Sequence, residues 1–363
     1  MSKTTALLLI PLILLSLAHQ AQADDSAEIE NLRRRLEKLE GRETETEGFN
    51  ITEAGKLLNI WGVVEIEAGY RDTKDLPAES DISVATALIG FDARFNDRVE
   101  GRIALLHEEG EEPEVTVDEA HLSVSWANVI AGDLTLTAGK KYLPFGNFNS
   151  SMVSDPLTLE LGETSRTLLM TGWKRGMVEA QFGIFNGAHD TTGHDVIDNG
   201  VASLAITPSN IFGFGISYMC DLAETNGDLL ADATTEYEDN VNALSAYLSL
   251  NLSSVTVSLE YLGALKNFST SMLADPDHAA ELTGSKPRAW FGEAAYAPND
   301  AWSFSARYEK AKHYQDDVAR YGVTGSYGLY ENTVLSLEYL YSDYDKTTEN
   351  KASQVTLQLA LEF

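Results

Sequence analysis

The chain is poor in what a soluble enzyme or a helical membrane protein needs. One of its 363 residues is cysteine, Cys220, so no intramolecular disulfide can form, and in an oxidising compartment that thiol reads as a strand filler rather than a redox centre. Basic residues are scarce, 26 Lys and Arg against 56 Asp and Glu, for a formal net charge of −30. Such a balance repels nucleic-acid phosphates and excludes that partner. Beyond Ala23 no stretch reaches the roughly 18 consecutive apolar residues of a membrane helix, so any crossing of a bilayer must use strands. The signatures GxSxG and HExxH are absent, and no acidic cluster follows the EF-hand spacing. The histidines at 107, 121, 189, 194, 278 and 313 are scattered, with no Ser or Cys in a recognisable arrangement beside them. The expectation is a protein that is not an enzyme and carries no metal or cofactor.

What is present is alternation. At the C-terminus Val355, Leu357, Leu359, Leu361 and Phe363 are separated by Thr356, Gln358, Ala360 and Glu362. A strand of this pattern offers one face to lipid and the other to water, and a terminal aromatic carboxylate is what outer-membrane assembly machinery reads. At the other end Lys3 precedes an apolar run from Ala6 to Ala18 and the small-x-small site Ala21-Gln22-Ala23, so residues 1–23 are expected to be a cleaved signal peptide. In residues 24–42 Ile29, Leu32, Leu36 and Leu39 form a short a/d seam, a coiled-coil helix expected in the periplasm. So short a helix is marginal alone and gains from oligomerisation through the rest of the chain, which points to a homotrimer. Residues 43–56 read as a polar linker.

From 57 to 363 the period is two almost throughout. Leu58, Ile60, Gly62, Val64, Ile66, Ala68 and Tyr70 share one face, with Asn59, Trp61, Glu65, Glu67 and Arg71 on the other. Comparable runs follow at 82–95, 99–107, 117–126, 134–142, 166–173, 177–186, 200–207, 212–220, 241–251, 254–264, 288–297, 302–311, 320–329, 333–341 and 353–363. Short turns such as Asn96-Asp97-Arg98, Pro208-Ser209-Asn210 and Glu331-Asn332 alternate with long polar stretches, a regularity that a soluble β-sandwich has no reason to keep. The expected fold is all-β: a transmembrane antiparallel β-barrel of about 16 strands in the bacterial outer membrane, with the N-terminus in the periplasm.

A barrel of this size leaves a water-filled lumen. Its wall is expected to carry Asp92, Arg94, Arg102, Glu119, Lys141 and Arg307. The long segment 143–165 contains Met152, Val153, Leu157, Leu159 and Leu161, side chains that a loop in solvent would not need, so it is expected to fold inward and narrow the pore. On it Phe145, Asn147, Asp155, Glu160 and Glu163 are candidate solute contacts, the three acids facing Lys141, Arg102 and Arg94 across the lumen. The outer loops are acidic: Glu108, Glu109, Glu111, Glu112 and Glu114 in one, and Asp221, Glu224, Asp228, Asp232, Glu236, Glu238 and Asp239 in another. They read as a negative vestibule acting over roughly 8 Å, or as a bridge through divalent cations to lipopolysaccharide.

The signal peptide, the helix IENLRRRLEKLE, the strand LLNIWGVVEIEAGY, the segment GKKYLPFGNF with its continuation SDPLTLELGETS, and the terminal LQLALEF together resemble the siderophore porins of the legiobactin-uptake type. The resemblance implies a plugless barrel that takes up a ferric siderophore passively. The segment between cleavage site and barrel agrees, being too short for a folded plug. Against a polycarboxylate siderophore stands the acidic vestibule, unless Arg94, Arg102, Lys141 and Arg307 offset it. Two other readings stand beside it: a general or cation-preferring diffusion porin, and a structural or adhesive barrel.

Overall fold

Alternating side chains fix which face of each strand turns outward, and closure then follows from pairing each strand with the next. The computed structural model describes residues 49–53 and 56–363, except 111–112, 188–195, 227–228, 230–239, 269–283, 315–316 and 346–350. The expected signal peptide and coiled coil lie outside the described residues. The strands are β1 (Phe49–Glu53), β2 (Lys56–Thr73), β3 (Glu79–Arg94), β4 (Val99–His107), β5 (Thr116–Val129), β6 (Gly132–Tyr142), β7 (Ser165–Arg175), β8 (Val178–Phe185) and β9 (Asn199–Ser209). They continue as β10 (Phe212–Met219), β11 (Ala243–Leu252), β12 (Val255–Ala264), β13 (Arg288–Asn299), β14 (Trp302–Lys312), β15 (Val318–Tyr330), β16 (Thr333–Tyr344) and β17 (Lys351–Glu362).

From β2 to β17 each strand pairs antiparallel with its sequence neighbour, and β17 closes on β2 in the register Val355↔Tyr70 and Leu359↔Ile66, a closed 16-strand barrel. At the seam Gly62 and Phe363 exchange both backbone hydrogen bonds, at 2.8 and 3.0 Å. Beyond that pair β1 lies antiparallel to the start of β2, Ile51 opposite Leu58, so the stretch read as a linker supplies a strand. It satisfies an edge that the C-terminal strand, whose pairing reaches no further than Gly62, leaves open.

The faces follow the sequence. On β17 Leu357 and Leu359 face outward and are exposed while Thr356 and Gln358 point inward and are buried. Aromatics gather in two bands on the outside. Near the short turns Trp302 stacks on Phe304 and meets Tyr327 at 4.6 Å; toward the long loops Trp290, Tyr308 and Tyr321 form a chain at 5.2 and 4.8 Å. Rings with an apolar body and a polar edge suit both borders of a hydrocarbon layer.

The packed core lies inside the barrel. On the long-loop half of β7 to β14 the inward positions turn apolar, and Leu168, Met170, Phe185, Val201, Met219 and Leu262 close around Leu143, Phe145, Leu157 and Leu161. One side of the barrel interior is thus filled as a soluble protein interior is.

Candidate functional site

The segment between β6 and β7 crosses the lumen instead of standing above it, because its backbone is bound by inward carboxylates of distant strands. Glu260 on β12 accepts the N–H groups of Asn147 and Phe148 at 2.7 and 2.8 Å. Glu293 on β13 accepts from Ser151 N–H at 2.6 Å and the Ser150 hydroxyl at 2.7 Å. Glu338 on β16 accepts from Val153 N–H at 2.7 Å and Ser154 N–H at 3.2 Å. Glu309 on β14 accepts from Leu157 N–H at 2.8 Å, the first residue of the short helix α1 (Leu157–Gly162), whose preceding Pro156 has no capping side chain. A turn-rich backbone removed from water must find acceptors, and charged acceptors make the strongest bonds.

Apolar contacts complete the seating. Leu157 and Leu161 are fully buried, and Met152 sits over Gly322, where any Cβ would come within 2.3 Å of its methyl group. The start of the segment between β10 and β11 is buried as well. Its Asp221 accepts the N–H groups of Ala223 and Val241, and its Glu224 meets Arg166 at 3.5 Å, both carboxylates fully buried. These two acids therefore do not belong to an exposed vestibule, whereas Glu108, Glu109 and Glu114 are exposed as expected.

Across from the loop, on β2 to β6, the wall stays polar. Arg102 binds Asp92 through two hydrogen bonds at 2.7 and 3.1 Å, reaches Glu119 at 3.3 Å and lies 5.2 Å from the ring centre of Trp61. Lys141 approaches Glu119 at 3.7 Å, and His121 approaches the same carboxylate at 3.8 Å. The predicted residues Asp92, Arg102, Glu119 and Lys141 thus form one cluster, facing inward. Arg94 pairs instead with Glu100 at 2.8 Å in an exposed pair near the short turns.

Arg307 belongs to the loop's anchorage. It lies 3.7 Å from Glu293 and 3.4 Å from Glu309, donates to the hydroxyls of Ser150 and Ser154, and donates to the Asp155 carbonyl at 3.1 Å. Phe145 is buried in the core and Asn147 is a backbone anchor point, so both position the loop. Glu160 departs from the expected arrangement. Its carboxylate meets Arg320 of β15 at 2.5 Å rather than standing open toward Lys141, Arg102 or Arg94. Burial, followed by the charge of Glu160, pushes the Asp155 carboxyl up to about 6. Burial, followed by Asp155, pushes Glu163 up to about 7.

The sequence reading missed Glu293 and Arg320. The register holds the signal that would have found them, since Glu293 is the cross-strand partner of Arg307, and Glu309 that of Arg320.

No family model matches this chain. A UPF0422 protein of Legionella pneumophila strain Philadelphia 1 is 24% identical over 325 residues, covering 80% of this chain and 60% of the relative. A UPF0422 protein of Coxiella burnetii is 24% identical over 300 residues, 77% of this chain and 62% of the relative. The chain thus spans about 60% of the length of these curated relatives. Among solved structures, Salmonella typhi OmpF in complex with daunomycin superposes with a TM-score of 0.62 at 12% identity, over 87% of this chain and 100% of that one. The outer membrane channel DcaP of Acinetobacter baumannii gives 0.62 at 14%, over 87% and 99%, and an anion-selective porin from Comamonas acidovorans 0.62 at 11%, over 85% and 100%. At these identities the likeness is one of fold: the chain has the closed barrel of outer-membrane porins.

Proposed function

We propose that this protein is a plugless outer-membrane channel for passive diffusion of small hydrophilic solutes, narrowed by the inward loop and favouring cationic or zwitterionic over anionic solutes. The observation that carries the reading is the division of the lumen. The loop is bonded to β12, β13, β14 and β16, which leaves the polar wall of β2 to β6 as the side along which water and solute pass. Along that wall Arg94 and Arg102 are each matched by a carboxylate, so the acids set the sign of the field. In this reading Asp92, Arg94, Arg102, Glu119 and Lys141 line the path from the wall and Asp155, Glu160 and Glu163 from the loop, while Arg307, Phe145 and Asn147 hold the loop in place.

Ferric-siderophore uptake is the finer reading, supported by the motif resemblance; the neutralised guanidiniums restrict it to complexes that are neutral or cationic. A homotrimer in contact with lipid and lipopolysaccharide, with the N-terminal helix in the periplasm, completes the proposal. A Vibrio cholerae outer membrane protein, OmpT, of similar fold (TM-score 0.55, 11% identity) is described in a trimer form. The test is single-channel conductance in planar bilayers, with reversal potential in a KCl gradient and titration with ferric and iron-free siderophore. Open cation-selective current is expected; saturable block by the ferric form alone would establish the siderophore reading, and absence of current would remove the channel reading.

A further inference from the structure

On the polar wall His121 points inward from β5, with Arg102 of β4 and Gly139 of β6 as its cross-strand partners. Gly139 puts no side chain between the ring and Lys141, the next inward residue of β6. Both ring nitrogens are shut off from water and make no hydrogen bond among the described residues. A buried donor and a buried acceptor left unpaired both cost free energy, so the neutral ring is poorly satisfied where it stands. Its Nε2 nevertheless lies 3.8 Å from Oε1 of Glu119, the same oxygen that Lys141 approaches at 3.7 Å, while Arg102 donates to the other oxygen at 3.3 Å. The charges that bear most on the ring are Asp92, Arg102, Glu119 and Lys141, from β3, β4, β5 and β6, two of each sign. The cluster is balanced while the ring is neutral and carries one positive charge once the ring is protonated.

We infer that His121 is a selectivity-determining residue of the wall, and that proton uptake by its ring turns the balanced cluster cationic and weakens the channel's preference for cations. Histidine is the side chain whose charge ordinarily changes between about pH 5 and 8. The His121 side chain keeps 11% exposure, so exchange of a proton with the lumen water is open to it. On taking up that proton the ring gains a second N–H, and a closure of about 1 Å brings Nε2 to Glu119 as a charge-assisted donor. Arg102 stays in place, since two hydrogen bonds also fix it to Asp92. Lys141 is one-third exposed and only approaches the shared oxygen, so it is the partner that gives way, and its ammonium turns into the conduit. There it opposes cations on the side that the loop leaves open. The inference rests on the channel reading above and concerns the wall, whereas Asp155 and Glu163 belong to the loop.

The experiment is the reversal potential of the full chain in planar bilayers under a KCl gradient, read between about pH 8 and about pH 5, with Asp155→Asn and Glu163→Gln present so that the loop carboxyls do not titrate. Acidification is expected to lower the potassium-to-chloride permeability ratio about threefold, the order that one unit charge a few ångströms from the ion path gives at a dielectric near that of water. Adding His121→Gln is expected to remove most of that step, and adding His121→Lys to hold the ratio near its acid value throughout. In the otherwise unchanged chain His121→Gln is expected to shrink the pH step and leave the part due to the loop. The folded barrel's altered mobility on unheated gels serves as the folding control for each variant. A ratio that does not move with pH once the loop carboxyls are replaced, or a step of unchanged size after His121→Gln, would overturn the inference while leaving the channel intact. Absence of KCl current in the wild-type protein would remove the channel itself, and the role of His121 with it.

Discussion

Glu338, on the penultimate strand, accepts the backbone N–H of Val153 at 2.7 Å across 185 residues of sequence. The same carboxylate also takes the Thr324 hydroxyl at 2.7 Å, so a single wall residue ties the pore loop to two strands. Glu260, Glu293 and Glu309 repeat the device at other points of the loop. A segment this long would otherwise keep much of its conformational entropy and block the lumen only intermittently.

Removing an anchor should release the loop. Glu260→Ala strips the acceptor from two backbone N–H groups and from the Ser245 and Thr158 hydroxyls, and leaving buried donors without partners costs about 1–3 kcal/mol each. We expect higher single-channel conductance with added open-channel noise, and a lower unfolding midpoint in urea. Unchanged conductance would mean that the loop is held without this carboxylate.

Arg307 sits between Glu293 and Glu309, each within 4 Å and all three buried. Arg307→Met leaves Glu293 without its cation and Glu309 with Arg320 alone, at 4.0 Å, and should cost about 3–5 kcal/mol, more than Glu293→Gln alone. Chemical unfolding in lipid vesicles measures it, and the double variant Glu293→Gln with Arg307→Met should recover part of the loss.

Selectivity should depend on pH through the loop. Asp155 and Glu163 are held up to about 6 and about 7 by burial and by neighbouring acids, so both are largely neutral in mild acid and ionise as the pH rises. Cation preference, read from the reversal potential, should increase between about pH 5 and about pH 8. Because the folded values lie above the unfolded ones, the stability these groups contribute is full below the unfolded values and is lost as pH rises through the folded ones. Loop seating should therefore be firmest in mild acid, and Glu163→Gln should flatten both trends.

Gly139 lies in the segment GKKYLPFGNF, at φ +135°, and a Cβ there would stand 2.2 Å from the Ala120 carbonyl oxygen. Backbone on the facing strand cannot yield as a side chain can. Gly139→Ala should cost about 2 kcal/mol or more and lower the yield of refolded barrel, measured as the heat-modifiable fraction on gels.

Most of the barrel was legible in the sequence because strand alternation is a local property. Each of the sixteen apolar-alternating runs coincides with one of β2 to β17. The turn between β5 and β6 was not legible: Ile130 and Ala131 hold it at φ 54° and 60°, where turn signals call for Asn or Gly. Nor was β1, whose five residues have a partner only because β17 stops short of the start of β2. The loop's inward course was readable from its leucines, but its anchors were not, since each partner lies more than 100 residues away.

The sequence by itself determined which face of each strand turns outward and how loop lengths alternate, both set by neighbours one or two residues apart. The tertiary structure alone decided which partners each inward carboxylate binds. Glu119 and Glu309 occupy equivalent inward positions on their strands, yet one joins Arg102 and Lys141 on the polar wall and the other caps a helix under the loop. The difference is where the segment between β6 and β7 comes to rest, because its apolar side chains and unpaired N–H groups have to leave water together.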